Sequence, residues 1–244
     1  MTASVPLLRG YCWALVVLAV ISAVVSLLFV TGTLRPPHDA QDLVERLIAN
    51  RTSDADAFPF VILGSVATIG VFLLAALIGV ALRSWAPVQP QWDAMATLFV
   101  IGGVLGIGAN LLNIAVGNAA TFTYCDCGYK TEEVIGQNYA LMVGWTMVSW
   151  LSLGALTLVA SGVAVAGRLV DISASWRTLS YVIAAALLLA VALRVLAESV
   201  FIGAFDPFLT SDLIVAFAGG ILVPIWAVLL ARGAADLEPN AAAT

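Results

Sequence analysis

Arg194 and Glu198 stand four residues apart in Leu179–Phe201, LSYVIAAALLLAVALRVLAESVF, a run otherwise apolar enough to cross a bilayer. Charge inside a membrane is costly, so such residues face a bundle interior or a wet cavity and have a partner. On a helix this spacing puts both on one face, where they are expected to pair. An arginine held in this way suits an anionic group, which its planar fork grips at two points. The glutamate offers a second chemistry, because burial without a counter-charge raises its pKa towards proton transfer.

Other polar residues share that depth. Gly102, Gly106, Asn110 and Asn113 form a stripe at helical spacing in Ala94–Val116. Small residues four apart let helix backbones approach closely, so the glycines are read as a packing face. Placed by the rise per residue, Asn110 and Asn113 fall about 7–12 Å beyond the midplane. Ser65 and Thr68 in Pro59–Leu82, Thr146 and Ser149 in Ala140–Ala166, and Arg194 with Glu198 fall in the same half. Two readings stay open for this set. It is either a hydrogen-bonded network fixing helix register or a polar pocket for a small ligand or lipid headgroup.

Cys125 and Cys127, in TYCDCGYK, lie between apolar runs and are expected to be bonded to each other or free. A Cys-x-Cys ring is tight and easily reduced. With His38, which also lies between runs, they are the only metal ligands to suggest themselves, and a lone Cys-x-Cys is too little to predict a metal site. Cys12 reads as packing. A single histidine and a single lysine exclude bis-histidine haem and a Schiff base within a helix, since His38 and Lys130 both lie in loops. There is no phosphate-binding glycine loop, dinucleotide fingerprint or HExxH. No catalytic residue and no cofactor is expected, and the reading is non-enzymatic.

The elements that must position these groups are membrane helices. Of 244 residues, 62% are hydrophobic and only 10% charged, where a soluble domain carries about 25% charged. Six runs approach the ~20 residues needed to span hydrocarbon: Tyr11–Val30, Pro59–Leu82, Ala94–Val116, Ala140–Ala166, Leu179–Phe201 and Leu213–Leu230. The first is longer than a signal-peptide core and reads as an uncleaved anchor. The runs leave no room for a soluble domain. The fold class is therefore all-α, one six-helix membrane bundle over residues 1–232, with a disordered tail over 233–244. Pro224 is expected to disturb the sixth helix.

After the first run, HDAQDLVERLIAN places Leu43, Val44, Leu47 and Ile48 on one stripe, with Asp39 as the N-cap. This predicts a short amphipathic helix on the membrane surface. Arg9, Arg83, Arg168, Arg177 and Arg232 fall at one side of the bundle, and Arg35, Arg46, Arg51 and Lys130 at the other. The short links of the first side are basic, which predicts cytoplasmic N- and C-termini in a plasma membrane. A net charge of −5 argues against nucleic acid as a partner. The partners expected are the lipid bilayer, a small ligand or lipid headgroup, and a second copy of the chain or another membrane protein.

The layout resembles a bacterial family of six-helix integral membrane proteins with no assigned activity. The similarity rests on HDAQDLVERLIAN after the first span, on ALRSWAPVQP closing the second, and on GANLLNIAV ending the third. The arginine usual early in that family's third span is absent, since AMATLFV stands there. The resemblance implies architecture and no mechanism. Rival readings of function are a small-solute or proton-coupled transporter and an accessory subunit of a membrane complex.

Overall fold

Long uninterrupted apolar stretches with few charges satisfy their backbone groups only as helices in hydrocarbon, and the chain folds accordingly. The computed structural model describes residues 5–34, 43–85, 89–122, 131–199 and 207–234, and side chains over 5–34, 56–85, 89–119, 136–197 and 209–234. Five helices come first in order: α1 (Val5–Val30), α2 (Leu43–Trp85), α3 (Pro90–Phe122), α4 (Thr131–Leu169) and α5 (Ala174–Ser199). The sixth span is composite: α6 (Pro207–Phe217), a π-helical turn (Ala218–Leu222) and α7 (Val223–Gly233). All six spans are long and apolar enough to cross a membrane. The protein is a multi-pass membrane protein with an all-α six-helix bundle.

Three boundaries differ from the hydropathy reading. The helical segment after the first span begins at Leu43 and is continuous with the second span, passing through Pro59. Nothing between Asn50 and Pro59 breaks a helix strongly, and a proline near a membrane helix end costs few backbone bonds. The side chains of 43–55, and Asp39 and His38, lie outside the described residues. At the other end of the chain order, α1 starts at Val5, so Arg9 lies within the helix. Its Nε donates to the carbonyl of Ala231 at 3.0 Å, where a cation meets the negative end of α7. Lastly, Pro224 acts through the π turn. A proline cannot bond the carbonyl four residues back, and the Val223 N–H reaches the Ala218 carbonyl instead.

The helices form a ring. Each packs against its neighbours in sequence, α1 closes against the sixth span, and only a small α2–α4 contact crosses the middle. Glycines set the close approaches. A Cβ on Gly103 would lie 2.9 Å from both the Phe72 carbonyl oxygen and the Ala76 Cβ of α2. One on Gly102 would meet the Val159 nitrogen of α4 at 3.1 Å. The Phe72 ring covers Gly106. The glycine stripe of α3 is therefore spent inside its own bundle, on both neighbours.

One end of the ring is closed, the end where α1 begins and α7 ends. Leu8, Cys12, Ile78, Met95, Phe99 and Ile183 are buried there in one apolar cluster. Trp176 and Trp226 stack, with ring centroids 5.4 Å apart. The Trp226 Nε1–H donates to Ser180 Oγ at 2.9 Å, and that hydroxyl donates to the Trp176 carbonyl. Phe99 enters between Gly79 and Gly162, from α2 and α4. Ser173 caps α5 by accepting from the Trp176 N–H at 3.1 Å, which fixes where that tryptophan enters the seal.

Candidate functional site: a cavity with two polar borders

A ring with no central helix leaves a space, and its lining follows from the depth of each residue. A cavity of about 260 Å³ is bordered by all six spans, through Leu15, Val71, Phe99, Leu156, Leu187 and Trp226 among others. Its floor is the tryptophan and phenylalanine seal. Away from the floor the lining turns polar, at Ser22, Ser26, Thr68, Asn110 and Ser152. Two further cavities adjoin it there. One, of about 270 Å³, shares Ser26, Thr68 and Asn110 with the central space. The other, of about 430 Å³, shares Ser152, Leu156 and Val215 with it. Trp145 borders both.

The first polar border belongs to α1, α2 and α3. Asn113 Nδ2 donates to Ser65 Oγ at 2.9 Å. Asn110 Nδ2 donates to the Gly106 carbonyl at 2.8 Å, so this side chain satisfies its own helix. Thr68 Oγ1 donates to the Gly64 carbonyl at 2.8 Å and lies 2.7 Å from Ser22 Oγ. Because a hydroxyl has one proton, Ser22 is the donor to Thr68.

The second border belongs to α4, α5 and α6. Arg194 Nη1 donates to Asp212 Oδ1 at 3.2 Å, and Arg194 Nε to Ser149 Oγ at 3.4 Å. Ser211 Oγ donates to the Ala190 carbonyl at 2.9 Å, tying α6 to α5. Arg194 thus has a carboxylate from another helix, joining α5 to α6. The side chain of Glu198 lies outside the described residues, and so does the expected local pair.

Of the residues singled out by depth, Ser65, Thr68, Asn110, Asn113, Ser149 and Arg194 border this cavity system. Thr146 does not. It is exposed on the outer surface of α4, and its hydroxyl donates to the Met142 carbonyl. A helix turns about 100° per residue, so the stripe Trp145, Ser149, Ser152, Leu156 faces inwards and Thr146 stands beside it. Cys125, Cys127 and His38 lie outside the described residues. Sequence reasoning missed Asp212, Ser211, Ser22, Ser26, Ser152 and Trp145. For Asp212 a signal exists. Beginning the sixth span at Leu209, as the helix does, brings Asp212 to the depth of Arg194.

Among the described lining residues the formal charges are those of Arg194 and Asp212, which cancel. What remains is a set of hydroxyls and carboxamides above an apolar space. No family profile, curated protein or solved structure matches this chain.

Proposed function

We propose that this chain is a non-enzymatic protein of the bacterial plasma membrane that binds a small ligand or lipid headgroup in an intramembrane polar pocket around Arg194. The observation that carries this reading is the continuity of the cavity. An apolar chamber walled by all six spans passes into two polar borders built from different helices. A network that served register alone would have its polar groups packed against one another with no space between them. The resemblance to the six-helix bacterial family belongs to the same reading, as architecture.

The test is retention. The full chain is purified under mild conditions, and small molecules carried with it are identified by mass spectrometry against the variant Arg194→Met with Asp212→Leu. This double variant keeps volume while removing both charges, so it should fold and lose the co-purifying species. Equal retention by a folded double variant would reject the pocket around Arg194.

Orientation is tested separately. The basic links at the closed end favour cytoplasmic termini, which places the polar borders towards the outside. In intact cells an impermeant thiol reagent should then reach Cys125 or Cys127 after reduction. In a chain with both replaced by serine, Asp171→Cys should react only once cells are permeabilised. The reverse pattern would invert the bundle. A transporter is the second reading, favoured by the π turn that interrupts the sixth span beside the cavity.

A further inference from the structure

We infer that the occupant of the cavity is a single-chain amphiphile of no net charge, its apolar chain in the central chamber and its hydrogen-bonding headgroup between the two polar borders. This deepens the reading of the pocket and rests on it. The chamber gives the first half of the inference. Towards the closed end it is walled by Leu15, Val71, Phe99, Val163, Ile183 and Trp226. An apolar lining of this kind rewards an apolar occupant and offers water few partners. The polar groups are not scattered through it. They gather towards one side, along α5 about 16 Å from Ile183 to Arg194 by the helical rise, which is the layout of a chain followed by a head.

Charge gives the second half. Arg194 and Asp212 cancel, and the other polar lining side chains are serine, threonine and asparagine. A headgroup with net charge would enter a low-dielectric site that offers it no net counter-charge, a costly transfer. A polyol or a zwitterion brings donors and acceptors and meets hydroxyls, carboxamides and an ion pair that match both. The chemistry shared by these two headgroups is neutrality with dense hydrogen bonding.

Gly219 makes the inference testable. It lines the chamber, and a Cβ built on it meets nothing within 4 Å. A large side chain there therefore projects into the space without first displacing a neighbour. Gly108, which also has nothing within 4 Å, sits on the exposed face of α3 and serves as control.

The full chain in detergent is mixed in turn with a monoacylglycerol, a lysophosphatidylcholine and a lysophosphatidylglycerol of equal chain length, and bound adducts are read by native mass spectrometry. Parent and Gly108→Phe should hold the first two, and the anionic third about tenfold less. Gly219→Phe should lose about tenfold or more, since each methylene excluded from an apolar site is worth roughly fourfold in affinity. A preference between the first two tells polyol from zwitterion. Stronger binding of the anionic lipid overturns the charge argument. Undiminished binding by Gly219→Phe overturns the chamber as the chain's seat, while the pocket at Arg194 still stands if its double variant loses binding. A second measurement needs no variant. A monoacylglycerol with a diazirine at its chain end should label Phe99, Val163, Ile183 or Trp226 in the parent, and excess unlabelled monoacylglycerol should suppress this. Labelling confined to outward residues such as Val104, Leu188 and Leu189 would sink the proposal.

Discussion

Gly103→Leu should leave no folded protein to purify, or a bundle that melts far below the parent. The added Cβ would stand 2.9 Å from the carbonyl oxygen of Phe72 and 2.9 Å from the Cβ of Ala76. The oxygen is backbone of a membrane helix and cannot rotate away. Only separation of α2 from α3 relieves the clash, and those two helices share the most extensive contact in the ring. Overpacking of a core costs about 1–3 kcal/mol where side chains can adjust, and here the obstacle is main chain, so about 3 kcal/mol is a lower bound. Gly108→Leu, on the exposed face of the same helix, should stay within about 0.5 kcal/mol of the parent. Accumulation and melting of Gly103→Leu like the parent would mean that α2 and α3 do not meet there.

The second large effect belongs to Arg194 and Asp212. Breaking a buried pair by removing one partner costs about 3–5 kcal/mol, and an exposed pair is worth about 0–1 kcal/mol. The side chains of Arg194 and Asp212 are 26% and 50% exposed, which in an aqueous protein would place them near the weak end. Within a membrane the exposed fraction faces lipid or the cavity, and the pair moves towards the strong end. Arg194→Ala and Asp212→Ala should therefore each destabilise by about 2–3 kcal/mol, between those limits. Joint replacement by Met and Leu should recover most of the loss, as removing both charges leaves neither uncompensated. Thermal melting of the two single variants and the double variant measures the coupling. Single variants as stable as the parent would show that both charges are solvated and make no pair.

Why Arg194 was visible in the sequence and Asp212 was not is a matter of where each sits in its helix. Arg194 interrupts an apolar run, and hydropathy marks interruptions. Asp212 precedes one, so the run Leu213–Leu230 begins after it and the residue reads as turn. The helix starts earlier, at Pro207, and carries Asp212 into the span. The six spans themselves were legible because each apolar stretch has one backbone solution in hydrocarbon. Depth was legible too, since rise per residue is fixed, and it brought Ser65, Thr68, Asn110, Asn113, Ser149 and Arg194 to one level. Azimuth was the weak coordinate. Thr146 and Ser149 have the same depth and differ only by rotation about α4, and nothing local says which faces in. Ser22 and Ser26 were passed over because the first run looked like a simple anchor, whereas Ser22 donates to Thr68 across the α1–α2 contact.

The π turn at Ala218–Leu222 has a further consequence, for insertion and deletion. It accommodates one more residue than an α-helical turn would, so the sixth span holds a spare residue beside the cavity. Excising Gly219 would let the turn close as an ordinary α-helix, and everything before it would rotate by about 100° relative to α7. Asp212 would swing off the stripe that faces Arg194, while Trp226 and the seal stayed put. A one-residue indel there would re-aim half a helix, where the same change within an uninterrupted span would have no slack to absorb it.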